Sequence, residues 1–307
     1  MIVCIGAFDG YHRGHFCLFN TARELARAQK SAWTVVTFAP HPRFVLGNGL
    51  KARLFSEEEK ERIRQVFSIP DPLEIPFTPQ LASTEPGVFL DALDQRLGIS
   101  GIVVGQAFHF GKNRSGDSDF LLRYCSSHGW QLRLVPQQIM QDGSTISSSR
   151  IRELIQGGDV TRANTLLGYP FFIISQVVTG EQRGRDLGYP TANILPGDMK
   201  LIPMEGVYAG AAWQGGRWWP AAVSVGRNPT FNVNGNLRIE SHLIGFQGNL
   251  YGERLTLAFL DKLRPITRYS GRDELIEQLR VDCSRTEEIF QHSVEHLMPF
   301  HQLPQRP

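Results

Sequence analysis

Two histidines three residues apart, His12 and His15, flank Gly14 in the segment Gly6-Ala7-Phe8-Asp9-Gly10-Tyr11-His12-Arg13-Gly14-His15. A short apolar run, Ile2-Val3-Cys4-Ile5, precedes them and a helix-like pattern follows. A helix N-terminus attracts phosphate through its unpaired N–H groups and its dipole. Imidazoles placed there can donate hydrogen bonds to phosphoryl oxygens as charge develops. On an isolated helix the same pair would read as solvated surface; the strand–glycine–helix context reverses that preference. A second cluster lies in Gly184-Arg185-Asp186-Leu187-Gly188-Tyr189-Pro190-Thr191-Ala192-Asn193-Ile194. Thr191 and Asn193 offer hard oxygens that suit Mg²⁺ shared with nucleotide phosphates, and the glycines let backbone N–H groups approach an anion. By composition alone this stretch is equally an ordinary turn. In Leu237–Leu243, Arg238, Glu240 and His242 fall on one strand face and Leu237, Ile239, Ser241 and Leu243 on the other. A carboxylate at Glu240 can serve as general base toward a primary alcohol, or be a solvated strand charge. Finally, Ile146-Ser147-Ser148-Ser149-Arg150-Ile151-Arg152 puts hydroxyls at a helix start, where capping alone would favour serine.

These residues need elements to hold them. Ile2–Ile5 reads as a buried parallel strand. Leu18, Ala22, Leu25 and Ala26 recur at helical spacing. Trp33–Phe38, Leu73–Ile75, Gly101–Val104 and Gln131–Val135 supply further strands. Helices are expected from the capping box Ser56–Glu59 to Val66, from Pro86 to Leu97 and from Asp119 to His128. This alternation predicts a doubly wound, mostly parallel sheet binding ligands at the carboxyl ends of its strands. Helical sequence from Ser148 through Leu167 stops at Gly168-Tyr169-Pro170, the expected boundary between domains 1–168 and 169–307. Beyond it, Phe172–Val178, Gly206–Trp213, Trp218–Val225, Leu237–Phe246 and Leu255–Leu260 suggest a small barrel. Ser270-Gly271-Arg272-Asp273 is a capping-box pattern opening a terminal helix through Leu275 and Leu279, with a break or bend before Ile289. Trp213, Trp218 and Trp219 read as barrel packing.

Composition narrows the classes. With 307 residues the chain is long enough for two domains with separate cores. A net charge of +2 gives no reason to expect a nucleic-acid or membrane partner. Cys4, Cys17, Cys125 and Cys283 lack metal-ligand spacing, which suits reduced thiols in a cytoplasmic protein. No apolar run reaches membrane-spanning length, and the N-terminus has no basic leader pattern. Neither GxGxxG nor GxxxxGK[ST] occurs, so dinucleotide-Rossmann and Walker A chemistry are not indicated.

The motifs together resemble a known family. Pro190-Thr191-Ala192-Asn193 is similar to the PTAN motif of riboflavin kinases. The GxFDGxHxGH segment resembles the HxGH signature of nucleotidyltransferases, in the form found in FAD synthetases. Ile146–Arg152 is similar to that family's ISSTRIR motif, and Thr37-Phe38-Ala39-Pro40-His41-Pro42 to its TFxPHP loop, so that His41 could line the nucleotide site or serve only to shape a turn. Ile239–Phe246, Ser224–Phe231, Leu250-Tyr251-Gly252 and Leu263-Arg264-Pro265 match kinase motifs, with Tyr269 where Phe is common. The resemblance runs from Ile2 to about Phe290 and is to the bacterial bifunctional riboflavin kinase/FAD synthetases. It implies an N-terminal nucleotidyltransferase domain and a six-stranded antiparallel barrel with a C-terminal helix. It implies riboflavin, FMN and ATP as substrates, with Mg²⁺ accompanying ATP and the flavins as reactants, not redox cofactors. A monomer or weak homo-oligomer is expected.

By the same resemblance Glu240 assists the ribityl 5′-hydroxyl, Thr191 and Asn193 hold the metal, and Gly184 and Arg185 cradle phosphate. His12, His15 and Arg152 are catalytic in adenylyl transfer, with Gly6, Phe8, Asp9, Gly14, Ser148 and Ser149 binding ATP. Phe108, Phe110 and Arg227 face flavin, and Lys112 meets phosphate. One departure stands out: Ala107 occupies a place where the family carries Asp or Asn. That keeps open a kinase whose N-terminal domain is a weak catalyst or flavin-holding module. A non-enzymatic flavin-responsive protein is the other alternative.

Overall fold

A computed structural model describes residues 1–47, 52–140, 143–180, 184, 187–197, 199–227 and 237–297. The chain forms two compact units, one from Met1–Arg53 and Lys60–Ser148, the other from Leu54–Glu59 and Ser149 onward.

The first unit is built on strands β1 (Ile2–Ile5), β2 (Trp33–Ala39), β3 (Leu73–Pro76), β4 (Gly101–Gly105) and β5 (Gln131–Val135). All pair in parallel, in the order β3-β2-β1-β4-β5. The continuous apolar runs Ile2–Ile5 and Gly101–Val104 become the fully buried central strands. Helix α1 (Arg13–Ala28) buries Phe19, Ala22, Leu25 and Ala26, the stripe its spacing required. Helices α2 (Pro42–Val45), α4 (Pro79–Ala82), α5 (Pro86–Leu97) and α6 (Ser118–His128) complete this unit. The strand order reverses between β1 and β4, and a crevice opens there in such sheets. The loops leaving β1 and β4 carry residues 6–12 and 106–111.

Helix α3 (Glu57–Phe67) begins in the second unit and continues in the first. Its capping box forms as expected: Ser56 N–H donates to Glu59 Oε2 at 2.7 Å, and Glu59 N–H donates to Ser56 Oγ at 3.2 Å.

The second unit is a closed antiparallel barrel ordered β10-β7-β6-β11-β8-β9. Its strands are β6 (Phe171–Val178), β7 (Ala192–Ile194), β8 (Gly206–Gln214), β9 (Arg217–Arg227), β10 (Leu237–Leu243) and β11 (Arg254–Arg264). Five were visible as β-rich segments; β7 is the addition, a three-residue strand that begins within the Thr191–Asn193 motif and ends one residue beyond it. The expected continuous helix 148–167 is instead α7 (Ser148–Gln156) and α8 (Val160–Leu167). Gly158, at φ +83, turns the chain, and Asp159 recaps it by accepting from Arg162 N–H at 3.1 Å. Helix α8 is fastened to the barrel: Asn164 Nδ2 donates to Phe259 O at 2.8 Å, and Thr161 Oγ1 donates to Asp261 Oδ1 at 2.7 Å.

The C-terminal helix α9 (Arg272–Leu297) runs without the expected break. Its cap uses Glu274 rather than Asp273, accepting from Ser270 N–H and Oγ–H at 2.9 and 2.7 Å. Arg264 at the end of β11 forks onto the buried Asp282 of this helix, with Nη2 to Oδ2 at 2.7 Å. Trp213 and Trp218 are a buried cross-strand pair at 5.5 Å between ring centroids, as packing would have it. Among the described residues no helix is long and apolar enough to cross a membrane.

Candidate active sites

In the first unit, His12 is the N-cap of α1, and its Nδ1 accepts from His15 N–H at 3.3 Å. That bond fixes the tautomer, leaving the His12 proton on Nε2. The two imidazoles stack with centroids 3.6 Å apart. Gly14 permits this, since a Cβ there would meet the His12 ring at 3.2 Å. A Cβ at Gly6 would meet the Phe8 ring at 2.7 Å, so glycine lets Phe8 fold over the end of β1 and pack edge-on against His15 at 5.0 Å. Burial pushes His12 down to about 4 and holds His15 well below its ordinary value, with His12 and His41 adding repulsion. Burial, reinforced by Arg43, Lys60 and Arg53, holds His41 at about 4. All three are therefore neutral near pH 7. His15 Nδ1 is shielded from solvent and has no hydrogen-bond partner among the described residues.

A cavity of about 240 Å³ joins these groups. Gly6, Phe8, His12, Gly14 and His15 line one side, and Gly105–Phe108 with Gln137 and Gln138 line another. Phe108 reaches the cavity. Phe110 is buried in the sheet core and stacks on Phe108 at 5.4 Å. Asp9 is buried, and its carbonyl accepts from Ser148 Oγ, which ties the loop after β1 to the start of α7. Ser149 and Arg152 belong to the second unit, and burial lowers the Arg152 guanidinium to about 10. Lys112 pairs with Glu85 at 3.1 Å.

In the barrel, register brings the second cluster together. Glu240 of β10 lies directly opposite Asn193 of β7, so both side chains share one face. Thr191 Oγ1 donates to Glu240 Oε2 at 3.4 Å. His242, two residues beyond Glu240 on the same face, holds its Nδ1 2.8 Å from Pro190 O, and its ring meets Tyr189 edge-on at 5.3 Å. Gly184 closes the preceding turn: its carbonyl accepts from Tyr189 N–H at 2.8 Å, and a Cβ there would meet Tyr189 O at 2.3 Å. Gly180 lies under Asn193, with room for no Cβ, since one would fall 2.0 Å from Nδ2.

Thr191, Asn193 and Glu240 form a sparse set of hard oxygens with one carboxylate. Among the described residues no cluster of three or more His, Cys, Asp or Glu could hold a metal alone. Such a set fits Mg²⁺ that arrives with a polyphosphate and keeps several waters. Arg227 ends β9 exposed, its Nε 3.0 Å from Glu205 Oε1. Arg185 and residues 228–236, with Pro229 and Thr230, lie outside the described residues. Beside Thr191 the barrel opens into a cavity of about 290 Å³, walled by Val177, Ala192, Leu243, Phe246, Leu250 and Tyr251. Sequence reasoning reached Tyr251 by motif but gave no role to His242 or Ser241, although the alternation in β10 assigned each to a face.

Comparison with known proteins agrees with this two-part layout. Residues 1–150 match the FAD synthetase family and residues 167–290 the riboflavin kinase family. A bifunctional riboflavin kinase/FMN adenylyltransferase of Listeria monocytogenes is 32% identical over 291 residues, covering 94% of this chain and 92% of the relative. One from Pseudomonas fluorescens is 34% identical over 290 residues, covering 92% and 91%. A crystal structure from Streptococcus pneumoniae, described as a macrolide-efflux protein, superposes with a TM-score of 0.86 at 31% identity over 93% of both chains.

Proposed function

Because the chain belongs to the bifunctional riboflavin kinase/FMN adenylyltransferase family, we propose that it converts riboflavin to FMN and FMN to FAD, using ATP in each step. The kinase step is assigned to residues 169–307 and adenylyl transfer to 1–168, both in the cytoplasm. The observation that carries the reading is the register of β10 on β7, which sets Glu240 opposite Asn193 with the Thr191 hydroxyl on its carboxylate.

In the kinase step Glu240 accepts the proton of the ribityl 5′-hydroxyl, whose oxygen forms a bond to the γ-phosphorus as the bond to the ADP oxygen breaks. Thr191 orients that carboxylate, and His242 and Gly184 hold the turn that presents Thr191. Thr191 and Asn193 would hold Mg²⁺ on the nucleotide, where it neutralises phosphate charge. Positioning and neutralisation carry most of such a transfer, so few side chains suffice. Arg227 is assigned to the substrate side, and Gly184 and Arg185 to phosphate.

In the adenylyl step an FMN phosphate oxygen attacks the α-phosphorus and pyrophosphate leaves, so no protein nucleophile is needed. Neutral His12 donates from Nε2–H, and His15 from whichever nitrogen carries its proton, toward oxygens that gain charge. Phe108 faces the flavin with Phe110 behind it. Gly6, Phe8, Asp9 and Gly14 shape the ATP side. Ser148, Ser149 and Arg152 are assigned to its phosphates by the family resemblance. A separation of function tests the assignment. Glu240→Gln should lower FMN formation by about 10²–10⁴-fold and leave FAD formation from supplied FMN nearly unchanged. His12→Ala/His15→Ala should do the reverse, accumulating FMN without FAD. Equal loss of both activities in either folded variant contradicts two separate sites.

A further inference from the structure

Tyr11 stands between Gly10 and the N-cap His12, in the loop that leaves β1. Its φ is +34 and that of Gly10 is +109, so two successive residues take positive φ before α1 begins. Gly10 does so freely, but Tyr11 carries a Cβ, and such a conformation persists only where its surroundings hold it. The Tyr11 side chain is buried, its ring 5.7 Å from that of Phe19 on α1. Packing of that kind needs no more than a phenylalanine. The phenol does more, since its oxygen accepts from the guanidinium of Arg64. Arg64 belongs to the first-unit part of α3, and its side chain is only 13% exposed. Two contacts fix that part of α3 on α1: the Phe67 and Phe16 ring centroids lie 4.5 Å apart, and Arg23 Nη2 donates to Phe67 O at 3.0 Å. Asp71, 3.4 Å from Arg64 Nε, is 93% exposed, so that pair adds little. One residue beyond Tyr11, His12 takes φ −82 and ψ 174 and lines the cavity of the first unit. A change of φ at residue 11 therefore swings the His12 ring, and its Nε2–H with it, relative to the oxygens it must reach.

We propose that Tyr11 is a positioning residue for adenylyl transfer: the hydrogen bond it accepts from Arg64 holds the positive φ at residue 11 and thereby the direction of His12 Nε2–H. The inference rests on the adenylyl-transfer reading above and adds to it a pair outside the cavity. Neither Tyr11 nor Arg64 lines that cavity, so the pair acts through His12 and touches no substrate.

The test uses the full-length protein as wild type, Tyr11→Phe, Arg64→Met, the double variant, Arg64→Lys and Asp71→Asn, each checked for folding by circular dichroism. FAD formation is measured with FMN and MgATP varied in turn, and FMN formation from riboflavin in the same preparations. Tyr11→Phe keeps the ring and removes the acceptor. It should lower kcat for FAD formation by about 5–30-fold, less than the roughly 10²-fold that follows a 1 Å misplacement. The KM values for FMN and ATP should stay within about twofold, and FMN formation should not change. Arg64→Met should match it, and the double variant should be no worse than the poorer single, because both remove one bond. Arg64→Lys keeps a donor and should recover part of kcat, whereas a packing role for Tyr11 would not distinguish lysine from methionine at residue 64. Asp71→Asn should leave kcat unchanged. If Tyr11→Phe does not fold, the contrast between Arg64→Lys and Arg64→Met carries the test. Unchanged kcat in folded Tyr11→Phe, independent losses that multiply in the double variant, or a rise in KM alone overturns the inference. Wild-type protein that forms no FAD from FMN overturns the adenylyl-transfer reading itself.

Discussion

Replacing Lys200 with Met removes the cation from an ion pair almost wholly shielded from solvent. Lys200 and Glu59 expose only 3% and 1% of their side chains, with Nζ 2.7 Å from Oε2. The ammonium also donates to Leu54 O at 2.6 Å and Phe172 O at 3.0 Å, and lies 4.5 and 4.4 Å from the Phe55 and Phe171 ring centroids. Burial pulls the Lys200 ammonium below its ordinary pKa, and the Glu59 carboxylate opposes that pull. Glu59 further accepts from Ser56 N–H and from Ile174 N–H at 2.8 Å. This cluster fastens segment 54–59 to the barrel unit. Without the cation, the carboxylate keeps two backbone donors but no opposite charge, a loss that typically costs about 3–5 kcal/mol. Glu59→Gln added to Lys200→Met removes the stranded charge while keeping an acceptor, so the double variant should be more stable than Lys200→Met alone. Urea unfolding can follow the barrel through Trp213, Trp218 and Trp219 once Trp33 and Trp130 of the first unit are replaced by Phe in every protein compared, with circular dichroism recorded in parallel for the whole chain. A Lys200→Met variant within about 1 kcal/mol of wild type, or a double variant less stable than the single, would refute the reasoning.

Three further outcomes are expected. The folded protein keeps His12 and His41 at about 4 and His15 well below its ordinary value, whereas the unfolded chain protonates near 6.5. Stability is therefore complete above about pH 6.5 and is lost as pH falls toward about 4; His12→Asn should flatten that slope in thermal unfolding across the range. Gly180→Ala and Thr191→Ala reach the same oxygen pair by different routes, one displacing Asn193 and the other deleting a hydroxyl. Each should raise the Mg²⁺ and ATP needed for FMN formation, and normal Mg²⁺ titrations would remove the metal assignment. Ala107→Asn restores a polar group on the wall of the first-unit cavity and should raise FAD output from FMN; no gain would mean that Gln106, Gln137 or Gln138 already meets that need.

Where local sequence determined local structure, the reading was sound. The unbroken apolar runs of β1 and β4 and the spaced apolar residues of α1 carry periodicities that few alternatives share. The faces of β10 were also legible, because alternation fixes them once the strand is granted. Strand β7 was not: Ala192–Ile194 is too short to show a period, and only pairing with β6 and β10 makes it a strand. The break between α7 and α8 had a written signal in Gly157-Gly158-Asp159, which the apolar spacing on either side concealed. The Asp273 cap failed by one residue, since Glu274 reaches both donors of Ser270. Nothing local marks segment 54–59 as part of the barrel unit, because its partners Phe172, Ile174 and Lys200 lie more than a hundred positions away. At the sites, motifs found the residues, but only the β10–β7 register shows that Asn193 shares the face of Glu240.

The measurement that bears most directly on the central claim is a time course of the purified chain with riboflavin, Mg²⁺ and ATP, the flavins separated by chromatography. FMN should appear first and FAD follow, with ADP released in the first step and pyrophosphate in the second. Riboflavin left unchanged despite bound ATP would contradict the account, and FMN that never becomes FAD would contradict its adenylyl-transfer half.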